Sequence, residues 1–213
     1  MSSEHYFDAT PAGDAVYRTI TARIAGVERT LTTANKVFSP AHLDEGTRIL
    51  LEEVPEPPTH GNLLDLGAGW GPISLELALL SPEATVWAVD VNDRALDLVR
   101  KNAADLGITN IRAVHPDEVP ADIRFEAIWS NPPIRVGKDV LHGMLEHWLP
   151  RLVEQGEAWL VVQKNLGGDS LQRWIAETLG SEFTVSRHTT AKGFRVILVD
   201  HSAADDEDLP DFV

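Results

Sequence analysis

The stretch NLLDLGAGWGPISLELALL, residues 62–80, limits what this chain can become more than any other. A short apolar run meets three glycines, Gly67, Gly69 and Gly71, and then a proline that opens a second apolar run. Glycines allow a sharp turn and a close backbone approach to a ligand, and Pro72 suits the first turn of a helix, where its missing N–H costs nothing. The unit reads as strand, tight turn, helix. The next apolar run, VWAVDVN, ends on Asp90, about 20 residues beyond the glycines, where an acid can meet ribose hydroxyls in a nucleotide site.

From Gly61 onward, short apolar runs alternate with longer amphipathic ones, which predicts an α/β sheet covered by helices. Strands are expected at 62–66, 85–89, 111–114, 125–129, 158–163, 183–187 and 194–199. Helices are expected at 72–80, at 94–106 capped by Asp93, at 140–152, and at 170–179 capped by Asp169 or Ser170. The last two strands follow each other without a helix, so an antiparallel C-terminal hairpin should close an otherwise parallel sheet. The expected fold class is a Rossmann-like, doubly wound α/β sheet of seven strands. Residues 1–60 read as an N-terminal cap with one helix near 44–54 and a stiff PEPPTHG connector, residues 61–200 as the main domain, and residues 201–213 as a solvated acidic tail.

Composition removes several classes of function. The chain of 213 residues has no cysteine, so disulfides, thiolate catalysis and zinc–thiolate sites are excluded. A formal charge of -15 argues against a nonspecific nucleic-acid coat, yet leaves room for a local basic rim. No apolar run reaches about 18 residues and the N-terminus lacks a secretory pattern, so a cytoplasmic protein without membrane contact is expected. The histidines are scattered, and His142 and His147 are not spaced to share a helical face, so no metal site is expected. The tryptophans are assigned to core packing.

A glycine turn alone also fits a ligand-free connection. Asp65 sharpens the choice, because an acid directly before the turn would repel a phosphate and favours a cationic, phosphate-free ligand over a dinucleotide. A second segment, IWSNPPIRVGK, ends an apolar strand on Asn131 followed by Pro132 and Pro133. Prolines hold the chain stiff and extended and can simply stop a strand. They can also build a rigid clamp, in which the Asn131 side-chain oxygen and the Pro132 carbonyl accept N–H bonds from a planar amino group. Such a clamp would turn the group's delocalised lone pair toward an electrophile.

The runs DLGAGWG, Val89–Asp90 and NPPI resemble the motifs of class I S-adenosylmethionine-dependent methyltransferases. That resemblance implies S-adenosyl-L-methionine as cofactor. Asp65, Gly67, Ala68, Gly69 and Gly71 would lie along its methionine portion, Asp90 and Val91 at its ribose, and Asp117 at its adenine amino group. Asn131, Pro132, Pro133 and Ile134 would form the catalytic turn, with Ile134 where the family usually has an aromatic that stacks on the target base. TTANKVFSPAHLDEGTRILLEEV, SNPPIRVGKDVLH, WLVVQKNLGGDSLQRW and AKGFRVILV resemble the single-domain form of the ribosomal RNA small-subunit methyltransferase C group, which methylates guanine N2. By that likeness Phe38 and Ser39 close over the cofactor, and ribosomal RNA or the small ribosomal subunit is the partner. Arg135, Lys138, Lys164, Lys192 and Arg195 would supply a basic rim. The alternatives are a glutamine-amide or adenine-N6 methyltransferase and, outside the enzymes, a cofactor-binding ribosome-assembly module. A nicotinamide dehydrogenase is disfavoured by Asp65.

Overall fold

The computed structural model describes residues 13–202. Five of its strands run parallel, β3 (Asn62–Leu66), β4 (Thr85–Val89), β5 (Ile111–Val114), β6 (Phe125–Ser130) and β7 (Leu152–Gln163), joined by helices except for a 3-10 turn between β5 and β6. A terminal pair, β8 (Thr184–Ala191) and β9 (Phe194–Asp200), completes a seven-stranded sheet in the order β5-β4-β3-β6-β7-β9-β8. β9 runs antiparallel to both β7 and β8, as the missing helix between the last two strands predicted. The helices are α1 (Glu45–Glu53), α2 (Pro72–Leu80), α3 (Asp93–Asp105), α4 (Lys138–Trp148) and α5 (Gly168–Thr178).

Both faces of the sheet are covered. On one, Ile49 and Leu50 of α1 and Ile73 and Leu77 of α2 pack on Leu63, Val86, Trp129, Val161 and Val196. On the other, Leu141 and Leu145 of α4 and Leu171 and Ile175 of α5 meet Leu64, Ile128, Leu160 and Ile197. Because β3 continues to β4 on one side and pairs with β6 on the other, the strand order reverses between β3 and β6. A crevice opens there at the strands' carboxyl ends, the usual place for a ligand in this architecture.

The expected N-terminal cap contains an element absent from the sequence-based expectation, a hairpin of β1 (Tyr17–Ile24) and β2 (Val27–Ala34). Its turn residues Ala25 and Gly26 both take positive φ, 49° and 74°, as a type I′ hairpin turn requires. Ala22, Ile24 and Leu31 pack against Trp70, Leu75 and Leu98. The exposed backbone of β2 is satisfied by a side chain: Asn102 Oδ1 accepts from Thr32 N at 2.8 Å while its Nδ2 donates to Thr32 O at 2.9 Å. Other boundaries move, and the strand expected at 183–187 runs on to Ala191. α4 ends at Trp148, since Pro150 lacks an N–H to continue it, and a 3-10 turn at Leu149–Arg151 leads into β7, which starts six residues before the expected 158. The N-cap of α3 is Asn92 and not Asp93, its side chain accepting from Arg94 N and Ala95 N, and α5 starts from Gly167 without a side-chain cap. The expected acidic tail lies outside the described residues except for its first two positions.

Candidate functional site

Asp65, next to last in β3, is fully buried, with Oδ2 accepting from Ser74 N at 2.8 Å and from Ser74 Oγ. Ser74, in the first turn of α2, thereby locks the helix onto the strand across the glycine turn. The other oxygen, Oδ1, is buried without a hydrogen-bond partner. Burial, with Asp90 nearby, pushes the Asp65 carboxyl up to about 7 despite the two Ser74 bonds. A buried acid with an idle oxygen fits a cationic ammonium group and would gain most from one.

Between strand and helix, Gly67 N and Ala68 N both donate to Val89 O, at 2.9 and 3.0 Å, which folds the turn over the end of β4. Gly67 has φ 84° and Gly71 has φ 97°, the left-handed region that a side chain disfavours. At Gly71 a Cβ would also press on Val99 at 3.1 Å. Asp90 follows β4, its Oδ2 accepting from Gly69 N at 2.8 Å and its Oδ1 from Asn92 N at 2.9 Å. Burial raises its pKa, opposed by these backbone N–H groups. Val91 N–H is a third backbone donor to the carboxylate, which leaves one of its four lone-pair sites for a further donor. Val91 beside it is 42% exposed, and Asp117 stands exposed after β5 in a 3-10 turn.

Residues 36–39 strap the glycine turn to the Asp90 loop. Asn92 Nδ2 donates to Lys36 O at 2.9 Å, and Trp70 Nε1 donates to Ser39 O at 3.2 Å. Lys36 and Ser39 both adopt positive φ, 60° and 45°, and between them Phe38 remains 51% exposed. An apolar ring held out by strained backbone on both sides is suited to covering a ligand.

The Asn131 turn closes the opposite wall. Ser130 Oγ donates to Leu66 O, tying the end of β6 to the end of β3, and a Cβ on Gly67 would lie 4.0 Å from Pro133 Cδ. Pro133 has φ -76° and ψ 78°, and Ile134 N donates to Pro132 O at 2.9 Å. This is an inverse γ-turn, which leaves the Pro132 carbonyl one free lone pair. Asn131 Nδ2 donates to Asp44 Oδ2 at 2.8 Å and Thr47 Oγ1 at 3.0 Å, while its Oδ1 has no partner among the described residues. Sequence reasoning missed Asp44, Thr47 and Ser74. Asp44 and Ser74 carried signals, as a helix-start acid and a hydroxyl in the first turn of α2.

Ile134 is half-buried against the α4 and α5 core. Arg135, Lys138, Lys164 and Lys192 are exposed, with Lys192 Nζ 3.3 Å from Glu45 Oε1. Arg195 departs from the expected rim. Its side chain is 8% exposed and paired with Asp169, because its β9 position points under α5. Among the described residues there is no cluster of three or more metal-ligating side chains, and no helix long and apolar enough to cross a membrane.

Residues 28–198 match the model of the methyltransferase small domain. The chain belongs to that family. Relatives of this chain include YbxB of Bacillus subtilis (strain 168), an uncharacterized protein, 35% identical over 92% of this chain and 97% of the relative. The ribosomal RNA large subunit methyltransferase G of Vibrio cholerae (strain O395) is 32% identical over 66% of this chain and 39% of its own. Among solved structures, the Thermus thermophilus 16S rRNA N2 G1207 methyltransferase (RsmC), in complex with AdoMet and guanosine, superposes with a TM-score of 0.76 at 27% identity. That match covers 88% of this chain and 51% of the other. The chain thus spans about half or less of the named rRNA methyltransferases it resembles.

Proposed function

We propose that this protein transfers a methyl group from S-adenosyl-L-methionine to the exocyclic N2 amino group of a guanine in small-subunit ribosomal RNA. The observation that carries this is Asn131 Oδ1, an unpartnered acceptor on a rigid turn whose Pro133 borders the glycine turn. An acceptor there suits an amino group, whose N–H bonds need partners before its lone pair can point elsewhere.

S-adenosylmethionine, when bound, supplies an electrophilic methyl on a sulfonium. Asp65 Oδ1 would receive its ammonium, the glycine turn would lie along its methionine chain, and Asp90 would accept from the ribose. Asp117 would face the adenine amino group, with Val91 and Phe38 as apolar cover. On the acceptor side, Asn131 Oδ1 and the free lone pair of Pro132 O would each take one N–H. Held in this way, the amino nitrogen would present its lone pair to the methyl, and N–C bond formation would be balanced by loss of the S–C bond and of one amino proton to water. Ile134 offers an aliphatic surface to the base face.

The partner is inferred from the named relatives and from the exposed Arg135, Lys138, Lys164 and Lys192. A cavity of about 630 Å³ between α5 and β8 is lined by the exposed Arg173 and Arg187, with the buried Arg195, paired with Asp169, in its wall. Register places Arg187 level with Ser130, three strands away across β9 and β7, or about 14 Å. That is within reach of RNA flanking a guanine in the crevice.

The test is methyl transfer from radiolabelled S-adenosylmethionine to small subunits, large subunits, free ribosomal RNA, DNA and translation release factor, followed by digestion and identification of the product. N2-methylguanosine in small-subunit RNA is the expected result. Label at adenine or in protein overturns the substrate, and label in large-subunit RNA overturns the subunit.

A further inference from the structure

Asn131 enters the crevice with one end of its amide already engaged, and both partners, Asp44 and Thr47, come from the start of α1. A carboxylate can only accept hydrogen bonds, so Asp44 decides which end of the amide is nitrogen. Rotating the amide by half a turn would set Oδ1 against the Asp44 carboxylate. It would also leave an NH₂ group facing the donors of the incoming amino group.

On the basis of the amino-group acceptor inferred above, we propose that Asp44 and Thr47 are positioning residues. They hold the Asn131 amide in the one orientation that presents Oδ1 to the substrate. The Asp44 charge also polarises the amide through Nδ2 and strengthens Oδ1 as an acceptor.

The surroundings keep Asp44 in place. It is the N-cap of α1, and the same Oδ2 that receives Asn131 also accepts from Thr47 N at 3.1 Å. Its negative charge sits favourably at the helix N-terminus. Thr47 is 3% exposed. At Gly46 a Cβ would fall 3.0 Å from Asp44 Oδ2 and 2.9 Å from Phe194 Cε1, so any side chain there would push on the carboxylate or on β9. β9 therefore backs the start of α1, and the start of α1 holds the amide that follows β6. The pairing also accounts for an amide at position 131, since a carboxylate there would meet Asp44 at hydrogen-bond range with like charge.

Asp44→Ser keeps a good helix cap but is too short to reach Asn131, and Thr47→Val removes the hydroxyl at constant shape. The double variant D44S/T47V should lose about 100-fold in kcat, with KM for the RNA acceptor, cofactor affinity and Tm close to wild type. Asn131→Asp should be poorly active at neutral pH, and adding Asp44→Asn should restore activity by reversing the pair. The side-chain NH₂ signals of Asn131, assigned by their loss in Asn131→Ala, should show slow hydrogen exchange in wild type and fast exchange in D44S/T47V. A double variant with wild-type kcat, or an N131D protein that D44N does not improve, overturns the positioning role. If wild type methylates no amino acceptor, the functional proposal fails instead. The exchange measurement then decides the orientation by itself, and fast exchange in wild type overturns it.

Discussion

On the glycine-turn side of the crevice, Asp65, Gly67, Gly69, Ser74 and Asp90 all come from residues 65–90, one strand-turn-helix-strand passage. On the opposite side, Asn131 depends on Asp44 and Thr47, 87 and 84 positions away, and their seat is walled by Phe194 of β9. Apart from the strap of residues 36–39, the first side is written in contiguous sequence, whereas the second exists only once distant segments have met. Substitutions should therefore separate cofactor binding from transfer.

The largest separation is expected at Asn131→Ala. Transfer should fall about 100- to 1000-fold in single-turnover assays, while cofactor affinity by calorimetry changes less than about twofold. A comparable loss of cofactor affinity would merge the two sides.

Asp65 gives the next largest effect, on stability. Its carboxyl is pushed from an ordinary 3.8 to about 7, so between those values the folded state keeps a proton that the unfolded chain has released. Stability of the cofactor-free protein should fall as pH rises from about 4 to 7, by on the order of 2–4 kcal/mol. Asp65→Asn should flatten that slope in urea titrations at several pH values and weaken cofactor binding. In wild type, cofactor affinity should rise through pH 7 as the carboxylate forms to meet the ammonium. A slope of the opposite sign would remove Asp65 from this role.

Asp90→Ala should weaken cofactor binding about 10- to 100-fold, since it loses a charged acceptor and frees Gly69 N, yet leave acceptor KM unchanged. The smallest change is Gly46→Ala, expected to cost about 1–2 kcal/mol through its approach to Phe194 and to lower kcat with cofactor affinity retained. Thermal melts alongside kinetics distinguish it from the Asp90 variant.

The same contrast explains what could be read from the sequence. β3, β4 and α2 were legible because an apolar strand, left-handed glycines and a first-turn proline act within a few residues of each other. The hairpin of β1 and β2 was not recognised, although Ile20, Ala22 and Ile24 alternate and Ala25-Gly26 marks the turn. Threonine and arginine occupy its outer face, and its apolar face finds its partners in α2 and α3. Asn131 was legible as a clamp residue from its prolines, but nothing near it in sequence announced Asp44 or Thr47. Arg195 was misplaced for the same reason, since a cation near a strand end looks solvent-facing until α5 is laid over it.

The position of β9 between β7 and β8 has a consequence for biosynthesis. β7, twelve residues long, emerges from the ribosome well before the strand that covers its free side. Until β9 inserts, the nascent chain carries a long, largely apolar edge open to pairing with another polypeptide. Insertion of β9 ends that exposure and also brings Phe194 against α1, so the last of the described strands to be synthesised both seals the edge and backs the helix start that holds Asn131.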